Sequence, residues 1–265
     1  MAKINLDKYY TEIKTAKYCI DKTYEIIGEN NISEVIEPSA GDGSFSLQIP
    51  TTCWAYDIEP EHESIVKQDF LQLNIDYLYG RLIIGNPPFG TRNTLSVQFY
   101  KKSIQLGDYV AFILPISQYN NNQQMYEFDL IHSEQLPLIE YSGIKLLTCF
   151  NIYQRPQGGE LNKKENFKLK DVDVYKYRRG GTYKKPEQYD FGMCSWGNAL
   201  GKEVGYVGQY AQENYIIVKN ENFREQILNV CRNTDWKKLY PFISSPKIQS
   251  WKIYKYLKEQ IPTLK

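Results

Sequence analysis

Apolar residues recur at helical intervals between Thr11 and Gly28, at Ile13, Ala16, Ile20, Tyr24 and Ile27, and a Gly-Glu-Asn-Asn stop follows. That spacing predicts an opening helix. Short apolar runs come next, over residues 32–36, 53–58, 81–85 and 109–114, with helical stretches near 94–106 and 123–133. Strands alternating with helices predict an α/β fold on a mainly parallel sheet. Two further β-like runs, 136–141 and 147–153, have no convincing helix between them and predict an antiparallel hairpin closing the sheet edge.

After Arg155 the pattern changes. Pro156-Gln-Gly-Gly breaks the chain, and Gly-punctuated strand-like segments follow at 172–177, 189–196, 203–210 and 215–219. Helical periodicity returns at 221–230 and 247–257, with Pro241 and Pro246 between. The expected organisation is a catalytic domain over 1–156 and a small α+β appendage over 157–265.

Charge sharpens that division. The 265 residues carry a net +1, but residues 1–156 hold 12 Lys+Arg against 19 Asp+Glu, whereas 157–265 hold 20 against 12. A basic C-terminal region suits a polyanionic partner. Its densest stretch, 163–185, includes Lys163, Lys164, Arg178 and Arg179 interleaved with Phe167, Tyr175, Tyr177 and Tyr183. Five scattered cysteines without a CxxC pair and only two histidines argue against a disulfide framework or a zinc site, so no metal is expected. No run is long and apolar enough for a membrane span, and the mixed charged opening is unlike a signal peptide, so a cytoplasmic protein is expected.

Four patterns carry chemistry. The run Glu37-Pro38-Ser39-Ala40-Gly41-Asp42-Gly43 leaves a β run through a glycine turn, where a ligand can approach the backbone, and leads into an expected helix start at Ser44-Phe45. Asp57, at the end of the next strand, can accept both hydroxyls of a ribose, with Ile58 beside it to cover a purine face. Asp69-Phe70 adds an acceptor for an exocyclic amine and an aromatic ring. Finally, Asn86-Pro87-Pro88-Phe89 directly follows the apolar strand 81–85. By chance an Asn-Pro-Pro-aromatic tetrapeptide occurs in roughly one chain of this length in several hundred.

The tetrapeptide suits the holding of an aromatic amine. Its prolines stiffen the strand end and remove two amide donors, so carbonyl acceptors dominate there. An adenine amino nitrogen is a poor nucleophile because its lone pair is delocalised into the ring. The Asn86 side-chain oxygen and the Pro87 carbonyl can take its two hydrogens and draw the nitrogen toward a tetrahedral geometry. Stacking on Phe89 adds about 1–3 kcal/mol, comparable with part of the cost of extracting a base from a duplex.

In this order the motifs resemble those of the class I, S-adenosylmethionine-dependent N6-adenine DNA methyltransferases, over residues 9–155. The resemblance implies a Rossmann-like class I methyltransferase sheet and site-specific methylation of a flipped-out adenine. It implies a cofactor site of Thr11, Glu37, Ser39, Gly41, Asp57, Ile58, Asp69 and Phe70, with Thr11 near the methionine carboxylate. Asn86, Pro87, Pro88 and Phe89 match its catalytic motif, and Phe150, in Thr-Cys-Phe-Asn-Ile-Tyr, matches a residue walling the target-base pocket. The implied partner is duplex DNA, and a second copy of the chain or a companion restriction enzyme is compatible with it. Lys163, Lys164, Arg178 and Arg179 are the expected DNA contacts, since no large target-recognition domain follows.

Other acceptors share this chemistry. Asn-Pro-Pro-aromatic also serves enzymes that methylate RNA adenine or a protein glutamine amide, and a DNA-binding subunit with an inactive methyltransferase fold is the non-catalytic alternative. The Glu-Pro-Ser-Ala-Gly-Asp-Gly loop resembles the DNA group more closely, and a glutamine-directed enzyme needs no basic appendage.

Overall fold

The computed structural model describes residues 10–141, 144–182, 186–239 and 247–265. Tyr9, Tyr183, Lys184, Lys185, Pro241 and Pro246 of the sequence reading lie outside the described residues. The chain divides into two compact units, one ending at Lys164 and one starting at Glu165.

In the first unit, α1 (Ile13–Ile27) precedes β1 (Glu34–Glu37), β2 (Cys53–Asp57), β3 (Val66–Lys67) and β4 (Arg81–Gly85). Then come α2 (Thr94–Leu106), β5 (Tyr109–Pro115), β6 (Asp129–Gln135), β7 (Ile139–Tyr141), β8 (Ile144–Leu146) and β9 (Thr148–Gln154). Seven strands form one sheet in the order β3-β2-β1-β4-β5-β9-β6, and β7 pairs with β8 in a separate two-stranded sheet. β3, β2, β1, β4 and β5 run parallel, while β9 is antiparallel to both β5 and β6. The expected Rossmann-like, mainly parallel sheet with an antiparallel edge is present.

Both faces of the central strands are covered, which is why they read as continuous apolar runs instead of alternating ones. Leu82, Ile84, Ala111, Ile113, Phe150 and Ile152 pack with Ala16, Cys19 and Ile20 of α1. Their neighbours Ile83, Val110, Phe112, Leu114 and Tyr153 pack on the other face with Phe99, Tyr100 and Ile104 of α2. Each fully buried large side chain contributes about 1.5–3 kcal/mol. A polar clasp ties the opposite ends of the strands: buried Asp108 accepts from Tyr77 Oη, Gly80 N and Arg155 Nε, each at 2.8 Å.

Three expectations need correction. The 123–133 stretch is not a helix; it leads into the edge strand β6, bulged between Leu130 and His132. An edge strand pairs on one side only, so its polar, half-exposed sequence resembles a surface helix until β9 supplies the partner. The edge pair is therefore β9 with β6, whereas the 136–141 run contributes β7 of a separate hairpin. After β1 there is no α-helix, only a turn and a 3-10 turn over Ser46–Gln48.

The second unit holds a three-stranded antiparallel sheet of β10 (Val172–Arg178), β11 (Phe191–Cys194) and β12 (Gln212–Val218), in the order β10-β12-β11. α3 (Arg224–Asn233) and α4 (Ser250–Gln260) follow. Val172, Phe191, Met193, Ile216 and Val218 form one core with Ile227, Cys231, Trp236, Ile253 and Leu257. The expected strand at 203–210 is reduced to one bridge between Met193 and Glu203, because Gly201 and Gly208 take positive φ and turn the chain. Among the described residues, no helix is long and apolar enough to cross a membrane.

Candidate active site

Strand order reverses between β1 and β4, and in open α/β sheets ligands bind beyond the carboxyl ends of the strands at that point. Three of the sequence motifs leave the sheet there: Glu37 to Gly41 from β1, Asp57 from β2 and Asn86 to Phe89 from β4. The main chain of β4 closes on β1 at Gly85, where an added Cβ would stand 3.4 Å from Pro38 and 3.5 Å from Glu37.

Glu37 is 2% exposed, and its carboxylate accepts from Ser46 N at 2.8 Å. Burial is the larger influence and pushes its pKa up to about 8, against the pull of the Ser46 hydrogen bonds. One oxygen of Asp57 accepts from Gly41 N and the other from Glu59 N, both at 2.8 Å. Gly41 holds φ +54°, and the Tyr10 ring lies 3.7 Å from where a Cβ would project. Tyr10 Oη donates to Glu61, so the segment before α1 lies over the turn. Ile58, next to Asp57, is exposed.

The tetrapeptide is tied down on both sides. Ser39 Oγ donates to the Asn86 carbonyl at 3.2 Å, and Asn86 Nδ2 donates to Thr11 Oγ1 at 3.2 Å. Ser96 Oγ donates to the Pro88 carbonyl at 3.2 Å and Leu95 N to the Phe89 carbonyl at 3.3 Å. Among the described residues, the Pro87 carbonyl accepts no hydrogen bond from the chain. Pro87 is buried, while Asn86, Pro88 and Phe89 are half-buried.

A polar wall beside the tetrapeptide was not foreseen. Arg92 and Asn93 both adopt positive φ between Phe89 and α2, a conformation costing of order 1–3 kcal/mol per residue. Asn93 is buried and donates from Nδ2 to Ser117 Oγ at 3.3 Å and Gln124 Oε1 at 3.2 Å. Gln118 Nε2 donates to the same Gln124 oxygen at 2.8 Å. The available signal was the polar run Gln118-Tyr-Asn-Asn-Asn-Gln-Gln directly after an apolar strand.

Several expected site residues stand elsewhere. Phe70 is 1% exposed and stacks on Phe99 with centroids 5.5 Å apart, so its ring belongs to the α2-side core and presents no face to a ligand. Asp69 caps the turn that follows, accepting from Leu71 N at 2.9 Å. Phe150 is fully buried on the α1 side of the sheet, paired with Ile113 of β5, and walls no base pocket. Lys163 and Lys164 are exposed near the end of the first unit. Arg179 donates to the Gly208 and Gln209 carbonyls at 2.6 and 3.2 Å and so secures its own unit's loop. Arg178 is exposed at the end of β10.

No family model matches the chain, and no curated protein matches it. Solved structures do. A Thermoplasma acidophilum protein shares 20% identity and a TM-score of 0.44, over 58% of this chain and 93% of that one. A Pyrococcus horikoshii protein described as a candidate RNA methyltransferase shares 15% and 0.45, over 58% and 90%. Magnesium protoporphyrin IX methyltransferase of Synechocystis, with S-adenosylmethionine bound, shares 11% and 0.41, over 58% and 88%. At such identities these likenesses carry no statement about substrate.

Proposed function

We propose that the chain transfers a methyl group from S-adenosylmethionine to N6 of an adenine extruded from duplex DNA. The observation that carries this reading is the placement of Asn86, at the carboxyl end of β4 and fixed to Thr11 and Ser39, beside the Glu37–Gly41 turn of β1. An acceptor clamp for a planar amine thus adjoins a turn suited to a nucleoside.

The donor set fits that cofactor. Asp57 keeps lone pairs on both carboxylate oxygens after binding Gly41 N and Glu59 N, enough to accept two ribose hydroxyls. Exposed Ile58 supplies an apolar cover for the adenine. Glu37 is a buried carboxylate that forms no ion pair among the described residues, and a bound ammonium would favour its ionised form. When bound, S-adenosylmethionine supplies an electrophilic methyl on a sulfonium.

The chain's own residues do the rest. Thr11 Oγ1 accepts one Asn86 amide hydrogen, which orients the opposite, oxygen end of that amide as an acceptor. The Pro87 carbonyl provides the second acceptor on a backbone that two prolines keep rigid. Phe89 supplies a stacking face, and its carbonyl bond to Leu95 N ties it to the start of α2. Rigid placement of the reacting groups, with no titratable base, accounts for most of the acceleration.

The test is incubation of the protein with methyl-labelled cofactor and, separately, duplex DNA, total RNA and a protein extract. Label in DNA as N6-methyladenine is the expected result. Label confined to RNA or protein would reject the DNA assignment.

A further inference from the structure

One face of the C-terminal sheet changes character along its length. On β10 the residues sharing that face are Val172, Val174, Lys176 and Arg178, and their partners on β12 are Val218, Ile216, Asn214 and Gln212. The first half is core: Val172, Ile216 and Val218 are buried, and Val174 packs against them. The second half is polar, and above it lies a cavity of about 370 Å³ whose lining includes Lys176, Arg178, Gln212, Asn214 and Lys247 together with one carboxylate, Glu213.

The third cation is held there by the backbone. Lys247 bridges Trp196, Ile248 N donates to the Ser195 carbonyl at 3.0 Å, and Asn214 Nδ2 donates to the Ile248 carbonyl at 3.1 Å. Trp251 Nε1 donates to Gln249 Oε1 at 2.7 Å, leaving the amide hydrogens of Gln249 as donors.

Among the described residues, none of Lys176, Arg178 and Lys247 is ion-paired. The carboxylate in the lining pairs with none of them. Glu213 is fully buried and takes Gly208 N at 2.8 Å, Tyr210 N at 2.6 Å and the Tyr215 hydroxyl. Burial first, then Lys176 and Arg178, hold the Lys247 ammonium below the usual lysine range. Three cations against one carboxylate leave the cavity with an excess of positive charge, and they repel each other until an anion sits among them.

We propose that this cavity grips a phosphate group of a polynucleotide backbone. Arginine, two lysines and an amide donor match an anion with several acceptor oxygens. Lys176 and Arg178 stand exposed on β10, an edge strand, where a long polymer can lie against them. The assignment rests on the polynucleotide-substrate reading above and joins Lys176 and Lys247 to Arg178, one of its expected contacts.

The test uses the full chain and a fluorescent duplex oligonucleotide, with binding followed by anisotropy over a salt series. The variant K176Q/R178Q/K247Q should lose at least tenfold in affinity, and its log–log salt slope should flatten by about two to three, near 0.9 for each lost contact. The charge-conserving K176R/R178K/K247R should keep most of the wild-type slope and so exclude loss by misfolding. Equal affinity and slope in wild type and the glutamine variant would overturn the proposal. So would a cavity that serves only a free anion, seen as inorganic phosphate or adenosine monophosphate raising the melting temperature of wild type alone while duplex binding is unaltered. Should wild type methylate no DNA while the glutamine variant still loses salt-dependent binding, the cavity assignment stands and the catalytic reading falls.

Discussion

Asn86 donates from Nδ2 to the hydroxyl of Thr11 across 3.2 Å, joining residues 75 positions apart. Thr11 is buried just ahead of α1, so the segment leading into the first helix orients the side chain that ends β4. The resemblance places Thr11 near the cofactor's carboxylate; this contact shows that its hydroxyl also sets the Asn86 amide.

Removing that hydroxyl should therefore slow turnover even at saturating cofactor. A single neutral hydrogen bond is worth about 0.5–1.5 kcal/mol, so Thr11→Val is expected to cost up to about tenfold in kcat. Thr11→Ser should retain most of the activity. Asn86→Ala should abolish methyl transfer and leave cofactor binding nearly intact, as read by calorimetry; unchanged turnover would move the chemistry elsewhere.

Glu37 should leave a mark on stability against pH. Its folded pKa is raised to about 8, so between the ordinary carboxylate range and that value the folded chain holds a proton the unfolded chain has released. Stability then falls as pH rises through that window and levels off above it. Melting temperatures from about pH 5 to about pH 9 should show this decline in wild type and lack it in Glu37→Gln. Parallel curves for the two proteins would remove Glu37 as the source.

Gly90 is the joint between the tetrapeptide and α2. It holds φ +65°, and an added Cβ would stand 2.8 Å from Leu95 Cγ and 3.1 Å from Leu95 N. Gly90→Ala is expected to cost more than about 1 kcal/mol in urea unfolding. Activity should fall further than stability does, since the loop carrying Phe89 must shift.

Phe150 separates a core role from a pocket role. As a fully buried residue among Ile113, Ile152 and α1, its replacement by alanine should destabilise by about 3–5 kcal/mol. KM for DNA in the surviving folded fraction should be unchanged. A raised KM with full stability would return Phe150 to the base pocket.

The strands that position the candidate site were readable because they are buried on both faces, and 81–85 and 109–114 could hardly be anything but interior strands. β6 was not, because an edge strand's identity comes from its partner and not from its own periodicity. The same holds for Phe70: Asp69-Phe70 reads as a ligand pair, yet α2 brings Phe99 against the ring and turns it inward.

By itself the sequence determined the order of the motifs, the alternation that makes an α/β sheet and the residue types at each strand end, because these depend on local spacing. Only the tertiary structure decided which of those residues meet. Thr11 reaches Asn86, Arg179 is spent on its own loop, and Lys247 joins Lys176 and Arg178, because strand pairing and packing bring distant segments within hydrogen-bonding or electrostatic range.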